Sequence, residues 1–186
     1  GSMAADFRYV GYEILAVAYR IPGLPALHDS EEEQGQTLVI TLKEVASQVM
    51  VCLYYGVFEA ENVITRAVRV ENQGKEDVIL DECLSCCLDF QFGDLDMVTF
   101  AGRHAMERGP ERNPVGRTRL EVGSVRGTSS HQYNPAVILC SPQATEDFGD
   151  CYGMCLAYSG NFVVSAQKDQ RGQTRAVMGI NPRQFS

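Results

Sequence analysis

From Thr37 to Leu42 the chain alternates Thr, Val, Thr against Leu, Ile, Leu. Successive side chains of an extended chain point to opposite faces, so this period of two makes one wholly apolar row, as a strand with a buried face requires. The pattern returns from Val49 to Phe58 and from Val63 to Glu71, punctuated by Gly56 and by Glu61-Asn62, and Gln73-Gly74 closes the series. A chain so patterned must find partners for several neighbouring strands, and antiparallel pairing through short connections is the economical solution.

The remaining segments repeat the theme. Tyr9 to Tyr19, rich in aromatic and β-branched residues, reads as a long strand stopped at Ile21-Pro22 and Leu24-Pro25, because proline lacks the N–H that a central strand needs. An acidic loop through His28, Asp29 and Glu31 to Glu33 follows. Asp77 to Phe90 reads as strand by analogy with its neighbours, with helix as rival at Cys83-Leu84-Ser85-Cys86-Cys87-Leu88. Met97 to Ala101 is a short strand, and residues 102–118, carrying Gly102, Gly109, Pro110, Pro114 and Gly116, read as a long loop. Leu120 to Ser124, Ala136 to Cys140, Cys151 to Tyr158, Asn161 to Asp169 and Thr174 to Ile180 complete the series, with turns at Ser159-Gly160-Asn161 and Gln170-Arg171-Gly172. About ten or eleven short strands with no sustained helical period predict an all-β fold, a large antiparallel β-sandwich.

Charge and composition exclude several functions. The formal net charge of -8 repels phosphate backbones and anionic lipid, which argues against nucleic-acid and membrane partners. No apolar run approaches the roughly 20 residues of a spanning helix. Six arginines between Arg103 and Arg126 outnumber Glu107, Glu111 and Glu121, and a solvated segment or ion pairs explain them better than an anion site. Seven cysteines, an odd number set mostly in apolar segments, favour core packing and a reducing, cytoplasmic compartment.

Candidate chemistry is sparse. Cys83, Cys86 and Cys87 lack the paired turn spacing of a zinc site, and on a strand Cys86 faces away from the other two. No metal or cofactor is expected. Ser129, Ser130 and His131 are adjacent, but neighbours in an extended loop diverge, and there is no Gly-x-Ser-x-Gly elbow. Asp94 with Asp96, and Asp147 with Asp150, are acid pairs of the kind glycoside hydrolysis uses, yet they read as Gly-flanked, solvated turns. No phosphate-binding glycine loop occurs. The densest set of hydrogen-bonding side chains is the decapeptide Arg126 to Pro135, RGTSSHQYNP, closed by an Asn-Pro turn signal.

Six segments carry a resemblance: DFRYVGYEI, GLPALHDSEEEQGQTLVITLKE, ITRAVRVEN, RGTSSHQYNP, YGMCLAYSGNFVVSAQKDQ and MGINPRQFS. In this order and spacing they resemble the N-terminal β domain of glycoside hydrolase family 36 α-galactosidases, from Asp6 to Ser186; the most specific pieces are S-S-H-Q-x-N-P, Y-S-G-N-F and G-I-N-P. The resemblance implies a β-supersandwich whose partners are its own (β/α)8 catalytic barrel and neighbouring subunits, in a retaining enzyme acting on galactosides such as melibiose and raffinose. Nothing here is similar to that barrel, so the catalytic domain is expected to be absent and no catalytic residue is carried over. Residues 1–3 look like a tag remnant, and residues 6–186 are read as part of the N-terminal domain, lacking an upstream portion.

The implied role is non-catalytic support of the barrel and the oligomer, with Arg126, Ser130, His131, Gln132 and Asn134 forming a barrel-facing polar surface. The alternative is a stand-alone carbohydrate-binding β-sandwich module, with Tyr133, Tyr152 and Phe162 as candidate sugar platforms in a chain without tryptophan. A small β enzyme or metal protein is the remaining reading.

Overall fold

The computed structural model describes residues 5–24, 35–91 and 93–183, and over them the chain is all-β and antiparallel. Twelve strands are present among the described residues: β1 (Phe7–Leu15), β2 (Gln36–Glu44), β3 (Val49–Phe58), β4 (Val63–Asn72), β5 (Cys86–Phe90), β6 (Asp96–Arg103), β7 (Met106–Pro114), β8 (Leu120–Ser124), β9 (Tyr133–Cys140), β10 (Cys151–Cys155), β11 (Phe162–Lys168) and β12 (Thr174–Ile180). The acidic loop read at His28 to Glu33 lies outside the described residues. The strands fall into two compact units, residues 1–81 and 82–186.

The first unit is a four-stranded meander in the order β1-β2-β3-β4. Its register sets Leu38, Ile40 and Leu42 against Tyr55, Leu53 and Val51, and these in turn against Arg66, Val68 and Val70. The apolar row read in the sequence is therefore continuous across the sheet, broken by Arg66, whose guanidinium lies 4.0 Å from the Tyr55 ring centroid. The opposite face carries Thr37, Val39, Phe58 and Ala67, all buried. Residues beyond β1 return over that face: the Thr37 hydroxyl donates to the Val17 carbonyl at 2.8 Å, and Tyr19 lies 5.4 Å from Tyr54. The strand read as Tyr9 to Tyr19 ends at Leu15, because these next residues serve the face rather than the edge.

The second unit is a two-layer sandwich of sheets ordered β10-β9-β6-β7 and β5-β12-β11-β8. Met97, Val137, Leu139 and Met154 from the first sheet meet Phe162, Val164, Ala166, Ala176 and Met178 from the second in one buried cluster. β11 is buried from Phe162 to Ala166, as expected of a strand flanked by β12 and β8.

Two sequence readings are corrected here. Residues 102–118 are not a long loop: β7 pairs with β6 from Asp96↔Pro114 to Arg103↔Met106. Every β7 residue is exposed, and its sequence MERGPERNP places charges and two prolines on a sheet edge. These are devices that blunt edge pairing, and they erase the apolar alternation by which a strand is recognised. Asp77 to Phe90 is strand only over Cys86–Phe90.

Candidate functional site

The decapeptide bridges β8 and β9 and is held mainly by its own hydrogen bonds. The Ser124 hydroxyl donates to the Thr128 carbonyl at 2.6 Å, Ser130 N–H donates to the Tyr133 carbonyl at 3.2 Å, and Gln132 N–H donates to the Ser130 hydroxyl at 3.2 Å. Arg126 donates to the Gln132 carboxamide oxygen. Gly127 sits at φ +84°, a left-handed conformation that glycine adopts without steric penalty.

The loop is anchored to two further segments. Ser129 N–H donates to the Ser159 carbonyl at 2.8 Å, and Gly127 N–H donates to Asn161 Oδ1 at 2.6 Å. Asn161 Nδ2 reaches the Arg183 carbonyl at 3.4 Å, while Asn181 N–H donates to the Asn161 carbonyl at 3.2 Å. The decapeptide, Y-S-G-N-F and G-I-N-P thus converge at Ser159 and Asn161. Neither spacing nor periodicity reveals this, because the links are side chain to backbone across 34 and 22 residues.

Beside the loop lies an open cleft of about 570 Å³ lined by Glu107, Arg108, Ser129, Ser130, His131, Asn134 and Pro135. Glu107 and Arg108 come from the β6–β7 hairpin, whose two-residue turn has Ala105 at φ 63° and whose next strand has Arg108 at φ 58°. Gly102 permits this hairpin: a Cβ there would stand 2.4 Å from the Met106 carbonyl oxygen.

Of the five residues read as a polar surface, the structure brings Ser130, His131 and Asn134 to the cleft, whereas Arg126 and Gln132 bind each other. Glu107 accepts from Ala105 N–H at 2.8 Å. Within the described residues the side chains of Arg108, His131 and Asn134 make no hydrogen bond, so they are the groups left to meet a partner. Arg108 was hidden in the sequence by the loop reading of its strand.

The acid pair Asp94 and Asp96 lies outside the cleft and is engaged in ion pairs. Asp94 pairs with Lys168 and Asp96 with Arg112, the latter at 2.7 Å, so neither is a free acid; Asp96 lies in β6 rather than in a turn, correcting its reading. Lys168 holds the Asp94 carboxyl below its ordinary pKa by a side-chain hydrogen bond. Arg112 also donates to the carbonyls of Ser141, Pro142 and Ala144 at 2.7 to 2.8 Å, an internal clamp rather than an anion site.

Among the described residues no group of three or more His, Cys, Asp or Glu side chains is placed to hold a metal. Core packing suits Cys140, but Cys83, Cys87, Cys151 and Cys155 are exposed, and the expectation of mostly core cysteines is corrected. The exposure arises because their strands have one uncovered face or, for Cys83, no strand at all. Phe162 is a core side chain and Tyr152 packs edge-on against Phe90 at 5.0 Å, so of the three proposed sugar platforms only Tyr133 is uncommitted.

Comparison with known proteins adds the following. The chain matches the model of the glycosyl hydrolase family 36 N-terminal domain over residues 1–186. It is 48% identical, over its full length, to 20% of a bifunctional alpha-galactosidase/sucrose kinase, AgaSK, of Mediterraneibacter gnavus. The crystal structure of the alpha-galactosidase AgaA from Geobacillus stearothermophilus superposes on 98% of this chain, with a TM-score of 0.93 and 40% identity, using 25% of that protein. A variant of AgaA in complex with raffinose matches equally well, with a TM-score of 0.93. The chain spans a fifth to a quarter of the length of these relatives.

Proposed function

The chain belongs to the glycosyl hydrolase family 36 N-terminal domains, and from that premise we propose that it is the non-catalytic N-terminal domain of a retaining α-galactosidase acting on terminal α-galactosides such as melibiose and raffinose. In that role it supports the catalytic barrel and the oligomer while the chemistry takes place elsewhere. The match of the whole chain to a domain that is a minor part of its α-galactosidase relatives carries this reading.

The cleft supplies a docking surface. His131 and Asn134, on a loop already rigidified by its own bonds, and Arg108, from β7, offer hydrogen-bonding groups, and the rigid loop lowers the entropic cost of association. These groups, with Ser130, are the contacts we assign to the barrel. The exposed thiols at Cys83, Cys87, Cys151 and Cys155 favour a reducing, cytoplasmic setting.

The test is an assay of the 186-residue chain on raffinose and on a chromogenic α-galactoside. No turnover above buffer is the expected result, and genuine hydrolysis overturns the reading. Titration with raffinose should give no saturable signal at millimolar sugar; saturable binding would favour the carbohydrate-binding module instead.

A further inference from the structure

β9 and β10 set two thiols directly across from each other, for Cys140 is the register partner of Cys151. Their position in the ladder matters. Ser141 N–H donates to the Asp150 carbonyl at 3.0 Å and Leu156 N–H to the Pro135 carbonyl at 2.9 Å, so the pairs 141–150 and 135–156 are hydrogen-bonded. Hydrogen-bonded and non-hydrogen-bonded pairs alternate along an antiparallel ladder, and Cys140 with Cys151 falls on a non-hydrogen-bonded step. There the facing Cα atoms stand closest, about 4.5 Å apart. A disulfide bridges Cα separations of about 4.4 to 6.8 Å. The two side chains also share a face, and the thiols are within hydrogen-bonding reach of one another. Among the described residues no other strand cysteine has a cysteine opposite it: Cys155 faces Ala136, Cys86 faces Met178, Cys87 faces Val177, and Cys52 lies between Thr41 and Arg69.

The surroundings give the two thiols different roles. Met97 and Leu139 turn into the core cluster, so their neighbours Asp96 and Cys140, with Cys151 opposite, face the other way. On that face Arg112 bonds Asp96 and the carbonyls of Ser141, Pro142 and Ala144, which fixes the chain as it leaves β9. Cys140 is buried and Cys151 is exposed. Burial pushes the Cys140 thiol up, and the charge of Arg112 draws it part of the way back. An incoming reagent therefore meets Cys151, and Cys140 is left to react with its neighbour.

We propose that Cys140 and Cys151 form a reversible dithiol–disulfide site whose oxidant is a low-molecular-weight disulfide of the glutathione class. The Cys151 thiolate attacks one sulfur of the oxidant, whose S–S bond breaks; one thiol leaves and a mixed disulfide remains on Cys151. Cys140 then loses its proton and attacks Cys151 Sγ, expelling the second thiol. Two protein thiols give up two electrons and two protons, and these reduce one oxidant molecule to two thiols. The Cα separation lies at the short end of the disulfide range, and strained cross-links are the more readily reduced, so the bond reverses when the thiol–disulfide balance returns. The product closes the connection 141–150 and pins β10 to β9. The site goes beyond the supporting role proposed above and needs neither the barrel nor the cleft, since both strands belong to the second unit.

The test holds the folded 186-residue chain in mixtures of reduced and oxidised glutathione, quenches with acid, alkylates the remaining thiols and maps peptides by mass spectrometry. Cleavage at Glu146 separates the two cysteines unless they are bonded, and fragment ions tell Cys151 from Cys155. Alkylation of Cys140 and Cys151 should disappear together as a linked peptide pair forms, and dithiothreitol should restore it. Half-oxidation should need an oxidised-glutathione level on the order of tenfold lower than for any other cysteine pair. Cys140→Ser should stop at glutathione on Cys151, and Cys151→Ser should leave Cys140 unreacted. If either variant misfolds by circular dichroism, the linked peptide of the unaltered chain decides alone.

Both thiols remaining alkylated while Cys83 and Cys87 carry glutathione overturns the proposal. So does Cys151 holding glutathione while Cys140 stays alkylated, or a bond from Cys151 to Cys155. Because the hydrolysis and raffinose assays do not involve these thiols, their outcomes separate failure of this site from failure of the domain assignment.

Discussion

Replacing Asn161 by Ala removes the side chain that ties down two distant segments, at Gly127 and Arg183, and the structure says where the effect appears. The bond from Gly127 N–H to Asn161 Oδ1 is short, at 2.6 Å, while the contact from Asn161 Nδ2 to the Arg183 carbonyl is long, at 3.4 Å. The first should therefore carry most of the loss, about 1 kcal/mol for a hydrogen bond of this kind. The loop keeps its second anchor, Ser129 N–H to the Ser159 carbonyl. Opening should thus stay local, with little change in global stability.

At about 1 kcal/mol the Gly127 amide should exchange roughly fivefold faster in the Asn161→Ala chain, while amides in the buried stretch of β11 keep their rates. Asn161→Asp is the diagnostic companion. It retains the acceptor, now charged, so Gly127 protection should persist or rise, and only the Arg183 contact is lost. Unchanged Gly127 exchange in Asn161→Ala refutes the anchoring role. Uniform acceleration across β11 refutes its locality.

Three further outcomes follow from packing and charge. Phe162 is fully buried at the centre of the second unit's core, and Phe162→Ala should cost about 3–5 kcal/mol, seen as a large drop in the denaturation midpoint. Gly102→Ala places a Cβ 2.4 Å from the Met106 carbonyl oxygen and 2.8 Å from Glu107 Cα, whereas the nearest contact at Gly109 is 3.4 Å. Gly102→Ala should therefore destabilise by about 1–3 kcal/mol and Gly109→Ala by clearly less, a difference read in paired thermal melts. The Asp89 carboxyl is held below its ordinary value by its hydrogen bond from Arg175. A depressed folded pKa contributes stability above the unfolded value of about 4 that is lost as pH falls through the folded value, so Asp89→Asn should flatten the acid limb of the stability profile. An unchanged acid limb would show that the bidentate contact, at 2.7 and 2.8 Å, is electrostatically idle.

How much of this was legible follows from what each residue answers to. Val49 to Phe58 and Thr174 to Ile180 were readable because burial of one or both faces imposes an apolar pattern on the letters. Thr37 to Leu42 was readable as a strand although its apolar row is half-buried and the buried residues, Thr37 and Val39, lie on the other face. β7 was unreadable for the opposite reason: an exposed edge strand is selected for charge and proline, the composition of a loop. Likewise Asp96 read as a turn residue because its partner, Arg112, is displaced by 16 positions and only the pairing of β6 with β7 brings them together. The candidate surface was half legible. Its polar density marked Arg126 to Pro135, but the letters could not tell that Arg126 and Gln132 bind one another or that Arg108 joins from β7.

That hydrogen-bond accounting bears on what the decapeptide is for. A loop that catalyses needs a nucleophile or acid held against a base, and here Ser129 and Ser130 spend their polar groups on the Ser159 carbonyl, the Tyr133 carbonyl and the Gln132 amide. A loop that merely connects strands has no need of anchors to two other segments, and this one is tied to both Ser159 and Asn161. The combination of internal satisfaction, remote anchoring and three uncommitted side chains at an open cleft suits presentation to a partner. For the proposed docking role, a loop anchored in this way leaves little loop entropy to be lost. Substitutions at His131 or Asn134 should therefore weaken docking without loosening the loop, whereas Asn161→Ala should do the reverse order of damage, loosening first and weakening docking only in consequence.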